Sequence, residues 1–288
     1  MNTCSPEQVG SYPSSAVVLR QPRWLAALFV AVFSASLLVS VSARADVITV
    51  RADEWFPLNG NPESPRPGFG IEILQEVWGK HGYYVDYQVA AWLRSLEMAH
   101  RGQIDCVIGA YVSDAPELVF PNTPLLMDEQ RFYVRAGTDW HYQGAESLHG
   151  VSVGIIGGYS YGPELDKYFE EHREDLELVE MQGNDALVKL IRMMMSDRLD
   201  VIMESSFVMI AKLQEMGLNK QIKSAGAVEE RFPAYVACSP ERPEVHEYLR
   251  LYDEGVKALH RNGMLSDFYE RYGLTGQEWG ESLIFPDE

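Results

Sequence analysis

The chain is 288 residues long, 46% apolar and 23% charged, a globular composition with room for one large or two modest hydrophobic cores and no sign of wholesale disorder. Its formal net charge of -18 is spread without a long acidic run, which argues against nucleic acid or an anionic membrane surface as partner. Acidity of this kind also serves plain solubility, so it names no function by itself.

The first element in chain order is a targeting signal. Arg20 and Arg23 precede the uncharged run LAALFVAVFSASLLVSV, and Ala43-Arg44-Ala45 follows it: a positive n-region, an apolar h-region and an A-x-A cleavage site. The expectation is export, with a cleaved signal peptide over residues 1–45 and a mature chain that opens DVITV. An uncleaved anchor is the alternative, since the 17 residues from 25 to 41 sit at the short edge of what spans a bilayer. No cysteine stands at the cleavage point for lipid attachment, so the exported protein is expected to be soluble.

From Asp46 onward strand and helix signals alternate, the pattern of an α/β protein with largely parallel sheets. VITVRA reads as a strand; the Pro- and Gly-rich loop PLNGNPESPRPGFG leads into a helix with Ile71, Leu74 and Trp78 on one face. YYVDYQV alternates as a second strand, WLRSLEMAHRGQ is helical, IDCVIGA is a third strand and QRFYVRAG a fourth. After the polar stretch GTDWHYQGAESLHG the order restarts: VSVGIIG, then helix GPELDKYFEEH, strand LELVEM, helix NDALVKLIRMMMSDR, strand LDVIME and helix SFVMIAKLQEMG. AYVACS is a last strand, and two helical stripes follow, Val245, Tyr248, Leu249 and Tyr252, then Leu265, Phe268 and Tyr272. The run Met193–Met195 is read as soft core packing. Two lobes of similar order facing one another across a cleft are the natural arrangement, because ligands in open α/β sheets sit beyond the carboxyl ends of the strands.

That rule picks out the site candidates. Trp55 and Phe56 follow the first strand, Trp92 and Arg94 the second, and Gly109, Tyr111 and Ser113 the third; the second lobe adds Gly158, Tyr159 and Ser160, then Glu204 and Ser205. Aromatic faces with a few hydroxyls and charges suit a small polar organic ligand. In GIIGGYSYGPELDKY, glycines and hydroxyls precede a helix with Pro163 in its first turn, where free N–H groups favour an anion such as a carboxylate; a tight strand-to-helix turn explains the same residues. The glycine spacing is neither G-x-G-x-x-G nor a P-loop. No cysteine or histidine cluster has metal-ligand spacing, so neither metal nor cofactor is expected. Cys106 and Cys238 lie in apolar strand-like contexts, and either a disulfide or two buried thiols fits them.

Over nearly the whole mature chain the sequence resembles the periplasmic solute-binding proteins of family 3, which serve polar amino acid ABC transporters. GFGIEILQEVWGKHGY looks like the family's first-helix segment, RGQIDCVIGAYVS like the segment before its ligand loop, VGIIGGYSYG like the strand and turn opening the second lobe, and SDRLDVIMES like a later ligand strand. PEVHEYLRLYDEGVKALHRNGMLSDFYERYG is similar to its closing helices. The resemblance implies a two-lobed type II periplasmic binding protein fold with two crossover strands and a central ligand cleft: lobe 1 over 46–136 plus 236–288, lobe 2 over 137–235, hinges near Arg135–Thr138 and Phe232–Ala237. It places Cys106 and Cys238 on neighbouring strands of lobe 1. It also implies a monomer that hands a small polar solute to an inner-membrane ABC transporter permease, or reports it to a membrane sensor, without catalysis.

The chain departs from the family where the ligand is held. Members that bind amino acids usually follow the third strand with a Thr-Pro-Glu-Arg type motif whose arginine pairs with the ligand carboxylate; here Ser113-Asp114-Ala115-Pro116-Glu117 carries no arginine. Arg94 is the preferred alternative for a carboxylate, against a plain surface arginine, while Arg131 and Arg135 are expected to be structural. The acidic residue of the second lobe falls at about Ser205, with Glu204 one residue earlier and so on the other face of a strand. A periplasmic dehydratase-like enzyme is the competing class, with Glu204 as its one acid or base candidate.

Overall fold

The computed structural model describes residues 46–274 together with 284 and 285. The expected signal peptide and the last residues of the expected first lobe lie outside the described residues. Among the described residues ten strands form two five-stranded sheets. In the first, β1 (Val47–Ala52) lies between β2 (Tyr84–Val89) and β3 (Cys106–Ala110), parallel to both; β10 (Phe232–Cys238) then runs antiparallel to β3 and to β4 (Leu126–Asp128). The second sheet repeats the plan. There β6 (Ser152–Ile156) is parallel to β7 (Glu177–Met181) and β8 (Val201–Ser205), and β5 (Gln130–Arg135) runs antiparallel to β8 and to β9 (Ile222–Ala227).

Local sequence explains the pieces. In β1 the side chains of Ile48, Val50 and Ala52 are buried and those between them are less so, the period-2 signature of a strand with one covered face. In β6 and β8 every residue is buried, as expected of strands covered on both sides. Helix α1 (Phe69–Gly79) buries Ile71, Leu74 and Trp78, and Trp78 Nε1 donates to the carbonyl of Tyr248. Helices α2 (Trp92–His100), α3 (Pro163–Glu171), α4 (Ala186–Met195) and α5 (Ser206–Met216) connect successive strands; within α4, Leu187, Leu190, Ile191 and Met194 face inward. The closing pair α6 (Val245–Arg261) and α7 (Met264–Arg271) packs on the first lobe through the two stripes seen in the sequence, except that Tyr272 falls one residue beyond α7.

The strand Gln130–Arg135 belongs to the second sheet, not to the first lobe, whose expected boundary at 136 is thereby moved. β4 leaves the first sheet at Asp128 and β5 enters the second at Gln130, so the first crossing is at Glu129; the return lies between Ala227 and Phe232. Both crossings therefore fall before the hinge positions expected from sequence. The two meet: Asp128 pairs with Phe232, and the Glu129 carboxylate takes Arg131 Nε at 2.5 Å and Arg231 at 3.5 Å. Arg135 donates to the carbonyls of Met194 and Leu199, the structural role expected of it. Cys106 and Cys238, opposite one another on β3 and β10, form a disulfide, which settles the alternative left open above. Among the described residues no helix is long and apolar enough to cross a membrane, and no group of three or more His, Cys, Asp or Glu is placed to hold a metal ion.

Candidate ligand-binding site

The first wall of the cleft is the turn after β1. Trp55 N–H donates to the carbonyl of Asn59, Leu58 N–H donates back to that of Trp55, and the Asn59 amide donates to the carbonyl of Asp53 at 2.6 Å. This mesh holds Asp53 and Trp55 in place. The indole of Trp55 packs edge-on against Phe207, with ring centroids 4.9 Å apart, and against Tyr111 at 6.3 Å. At the end of β3, Gly109 has φ +90°, and a Cβ there would come within 3.2 Å of the Trp55 ring. A side chain at this position is disfavoured twice, by the left-handed backbone and by the close Trp55 ring.

Trp92 opens α2 and stands edge-on to Tyr159 of the second lobe, 6.3 Å between centroids. Beyond β3 the chain turns back on itself through Asp114, whose Oδ2 accepts Tyr111 N–H. Across the cleft, the turn between β6 and α3 brings Ser160 N–H to the other oxygen of Asp114 at 2.8 Å. Asp166 in the first turn of α3 accepts the N–H of Tyr161 and the hydroxyl of Ser160, whose Oγ takes Gly162 N–H. The single hydroxyl proton of Ser160 goes to Asp166, so Ser113 is the donor in its 2.8 Å contact with Ser160 Oγ. Consecutive backbone donors at this helix N-terminus are thus taken by carboxylates and a hydroxyl of the protein itself.

Between these walls lies a small cavity, with about 20 Å³ open to the centre of a water molecule, room for about one water. Asp53, Trp55, Trp92, Ile108 and Gly109 line it from the first lobe with Tyr111 and Asp114; Gln130, Tyr159 and Ser160 line it from the second sheet and its loops. Direct bonds already join the lobes here: Tyr159 OH to Asp53 Oδ2 at 2.6 Å, Trp55 Nε1 to Glu204 Oε1 at 3.3 Å, and Ser160 N to Asp114. The arrangement is a closed cleft.

Its electrostatics are one-sided. Burial pushes the carboxyl of Asp114 up to about 7, against the pull of the N–H groups of Tyr111 and Ser160, with the charges of Asp166 and Asp53 adding to the rise. Burial likewise raises Asp53 to about 6, against its Tyr159 bond. Behind the cavity it raises Asp128 to about 6 and Glu204 to about 8, partly offset by their hydrogen bonds. Among the described residues that line the cavity there is no Lys, Arg or His. Two buried polar atoms of lining residues have no partner, Trp92 Nε1 and Gln130 Oε1. The Gln130 amide nitrogen donates to Asp128 and Tyr111, which fixes the amide orientation and leaves the oxygen over.

Of the candidate residues, Trp55, Trp92, Gly109, Tyr111, Tyr159 and Ser160 line the cavity; Phe56, Arg94, Ser113, Gly158, Glu204 and Ser205 do not. Phe56 turns outward and packs on Tyr272 at 5.8 Å. Arg94 is exposed, because two residues along a helix from the inward Trp92 is about 200° around its axis. Gly158 packs beside Leu93 at the cleft edge. Ser205 Oγ donates to Asp128, and Glu204 accepts from Trp55 and from Ser205 N–H, so both brace the crossing region. The sequence reading missed Asp53, Ile108, Asp114 and Gln130. Asp53 and Asp114 lie in loops that the strand-end rule picks out, where they read as ordinary acidic loop residues; Gln130 opens β5, whose place in the second sheet is set by distant partners.

No family model and no curated protein matches the sequence. Solved structures match well. A structure titled an ancestral arginine-binding protein bound to arginine aligns with 80% of this chain and 99% of its own at 19% identity and TM-score 0.66. The fold is that of the two-lobed solute-binding proteins. An ABC uptake transporter substrate-binding protein from Streptococcus pneumoniae with bound histidine aligns over 78% of this chain and 92% of its own at 19% identity and TM-score 0.64. A histidine kinase sensor domain with similarity to periplasmic binding proteins aligns over 80% and 96% at 19% identity and TM-score 0.65. At this identity it is the solute-binding fold that is shared.

Proposed function

We propose that this chain is a periplasmic binding protein that captures one small solute between its lobes and presents the closed form to an ABC importer in the inner membrane. The carrying observation is the cavity itself: aromatic rings and a few polar groups from both lobes converge beside the two crossings, where a hinge brings the walls together. Similar structures titled as substrate-binding proteins of uptake transporters support the transport role. The non-enzymatic reading is supported by Glu204, the acid or base candidate, whose carboxylate is engaged by Trp55 and Ser205 behind the cavity. A sensory role is the second reading, favoured by the kinase sensor domain of the same fold.

The test is saturable binding without turnover. In a thermal-shift and calorimetric screen of amino acids, amines and small carboxylates, a true ligand at 100 times its dissociation constant adds about 2.7 kcal/mol of stability. A screen in which nothing binds contradicts the proposal, as does consumption of a bound solute.

A further inference from the structure

Resting on the solute-binding reading, the geometry points to a ligand class that the resemblance does not suggest: a small organic cation, an amine or guanidine without a carboxylate, held between Asp53, Asp114 and the rings of Trp55 and Trp92 once the lobes part to admit it, since the cleft as closed here has room for about one water. Three features carry it. First, the anion-binding groups of the cleft are already filled from within. Asp114 reaches across from the first lobe to Ser160 N–H and Asp166 holds Tyr161 N–H, so the helix N-terminus that would attract a ligand carboxylate has protein carboxylates on it.

Second, a carboxylate entering this cavity meets Asp53 and Asp114 and, among the described lining residues, no cation. Unpaired burial of such a charge is prohibitive. A cation entering the same space meets the carboxylates of Asp53 and Asp114 as counter-charges, beside the rings of Trp55 and Trp92. Third, a residue that lines the cavity holds a buried acceptor that lacks a donor. Gln130 is 3% exposed, its amide nitrogen is committed to Asp128 and Tyr111, and Oε1 is unpartnered. An ammonium or guanidinium N–H supplies what Oε1 lacks. Trp92 Nε1, also buried and unpartnered, would donate to a hydroxyl or carbonyl on the same ligand.

The test uses matched pairs that differ by a carboxylate alone: agmatine with arginine, putrescine with ornithine, histamine with histidine. Calorimetry on the mature protein at pH 8, freed of carried ligand by unfolding and refolding, is expected to show at least one amine binding about 100-fold or more tightly than its amino acid. Asp53→Asn keeps an oxygen to accept from Tyr159 OH and removes the charge, and should cost that amine about tenfold or more in affinity; Asp114→Asn, which keeps the acceptor for Ser160 N–H but sets an NH2 against Tyr111 N–H, is the second variant should the first fail to fold. If an amino acid binds as well as its amine, or both variants bind the amine unchanged, the cation assignment falls while the solute-binding reading stands. If neither these pairs nor any carboxylate solute binds, the solute-binding reading falls with it.

Discussion

Tyr159→Phe deletes one oxygen and so isolates a single bond of the closed cleft. In the structure this hydroxyl donates to Asp53 Oδ2 at 2.6 Å, joining the loop after β6 to the turn after β1. Asp53 is buried, and desolvation raises its carboxyl to about 6. At pH 7.5 the acceptor is charged, and a hydrogen bond to a charged group contributes about 1.5–3 kcal/mol net. If closure and binding are one event, solute affinity should fall about 10- to 150-fold. At pH 5 Asp53 is protonated, the bond becomes a neutral one of about 0.5–1.5 kcal/mol, and the loss should shrink to about 2- to 10-fold. Calorimetry at the two pH values measures affinity, and small-angle scattering reports the closed fraction. Unchanged affinity at pH 7.5, or an equal loss at both pH values, refutes the reasoning.

Further outcomes follow from the same coordinates. The disulfide closes a loop with a sequence separation of 132, so reducing it, or making the double variant Cys106→Ser with Cys238→Ser, should lower stability to urea by up to about 5 kcal/mol on the chain-entropy account; a loss within error would mean the bond does not form. The raised carboxyls set the sign of the pH response. Glu204 at about 8, Asp114 at about 7, and Asp53 and Asp128 at about 6 hold protons in the folded state that the unfolded chain releases near pH 4. Their contribution is complete below about pH 4 and is lost as pH rises through about 6 to 8. The melting temperature of ligand-free protein should therefore fall from pH 5 to pH 8.5, and Glu204→Gln should flatten the upper part of that fall; a rising profile contradicts the burial account. Arg94→Ala should change solute affinity less than about twofold, because the side chain is exposed. A loss of about 1.5–3 kcal/mol would put the guanidinium in the site after all.

Much of the fold is legible because the periodicities are clean: the alternation in Val47–Ala52 and the stripes at Val245, Tyr248 and Tyr252 have one structural reading each. What is not legible is pairing across long sequence distances. Gln130–Arg135 looks like any buried strand, and its sheet is decided by partners in β8 and β9. Two short or small-residue strands, Leu126–Asp128 and Ile222–Ala227, have no periodicity to betray them. At the site, the strand-end rule finds the aromatic walls, Trp55, Trp92, Tyr111 and Tyr159, since rings at loop positions are conspicuous. It does not find the carboxylates, because Asp53 and Asp114 read as ordinary acidic loop residues until burial and the facing lobe are known. Arg94 fails for a local reason: helical phase turns it away from Trp92.

The most direct test of solute capture between the lobes is the indole N–H spectrum of the chain from Asp46 onward during titration with a solute that binds. Trp92 Nε1 is unpartnered in the cavity wall and Trp55 Nε1 bonds Glu204 across the cleft, whereas Trp78 and Trp140 donate to the backbone carbonyls of Tyr248 and Ser147 away from it. The account predicts that the Trp55 and Trp92 resonances shift and saturate with the solute while those of Trp78 and Trp140 stay in place. Saturable binding that leaves Trp55 and Trp92 unmoved would contradict it.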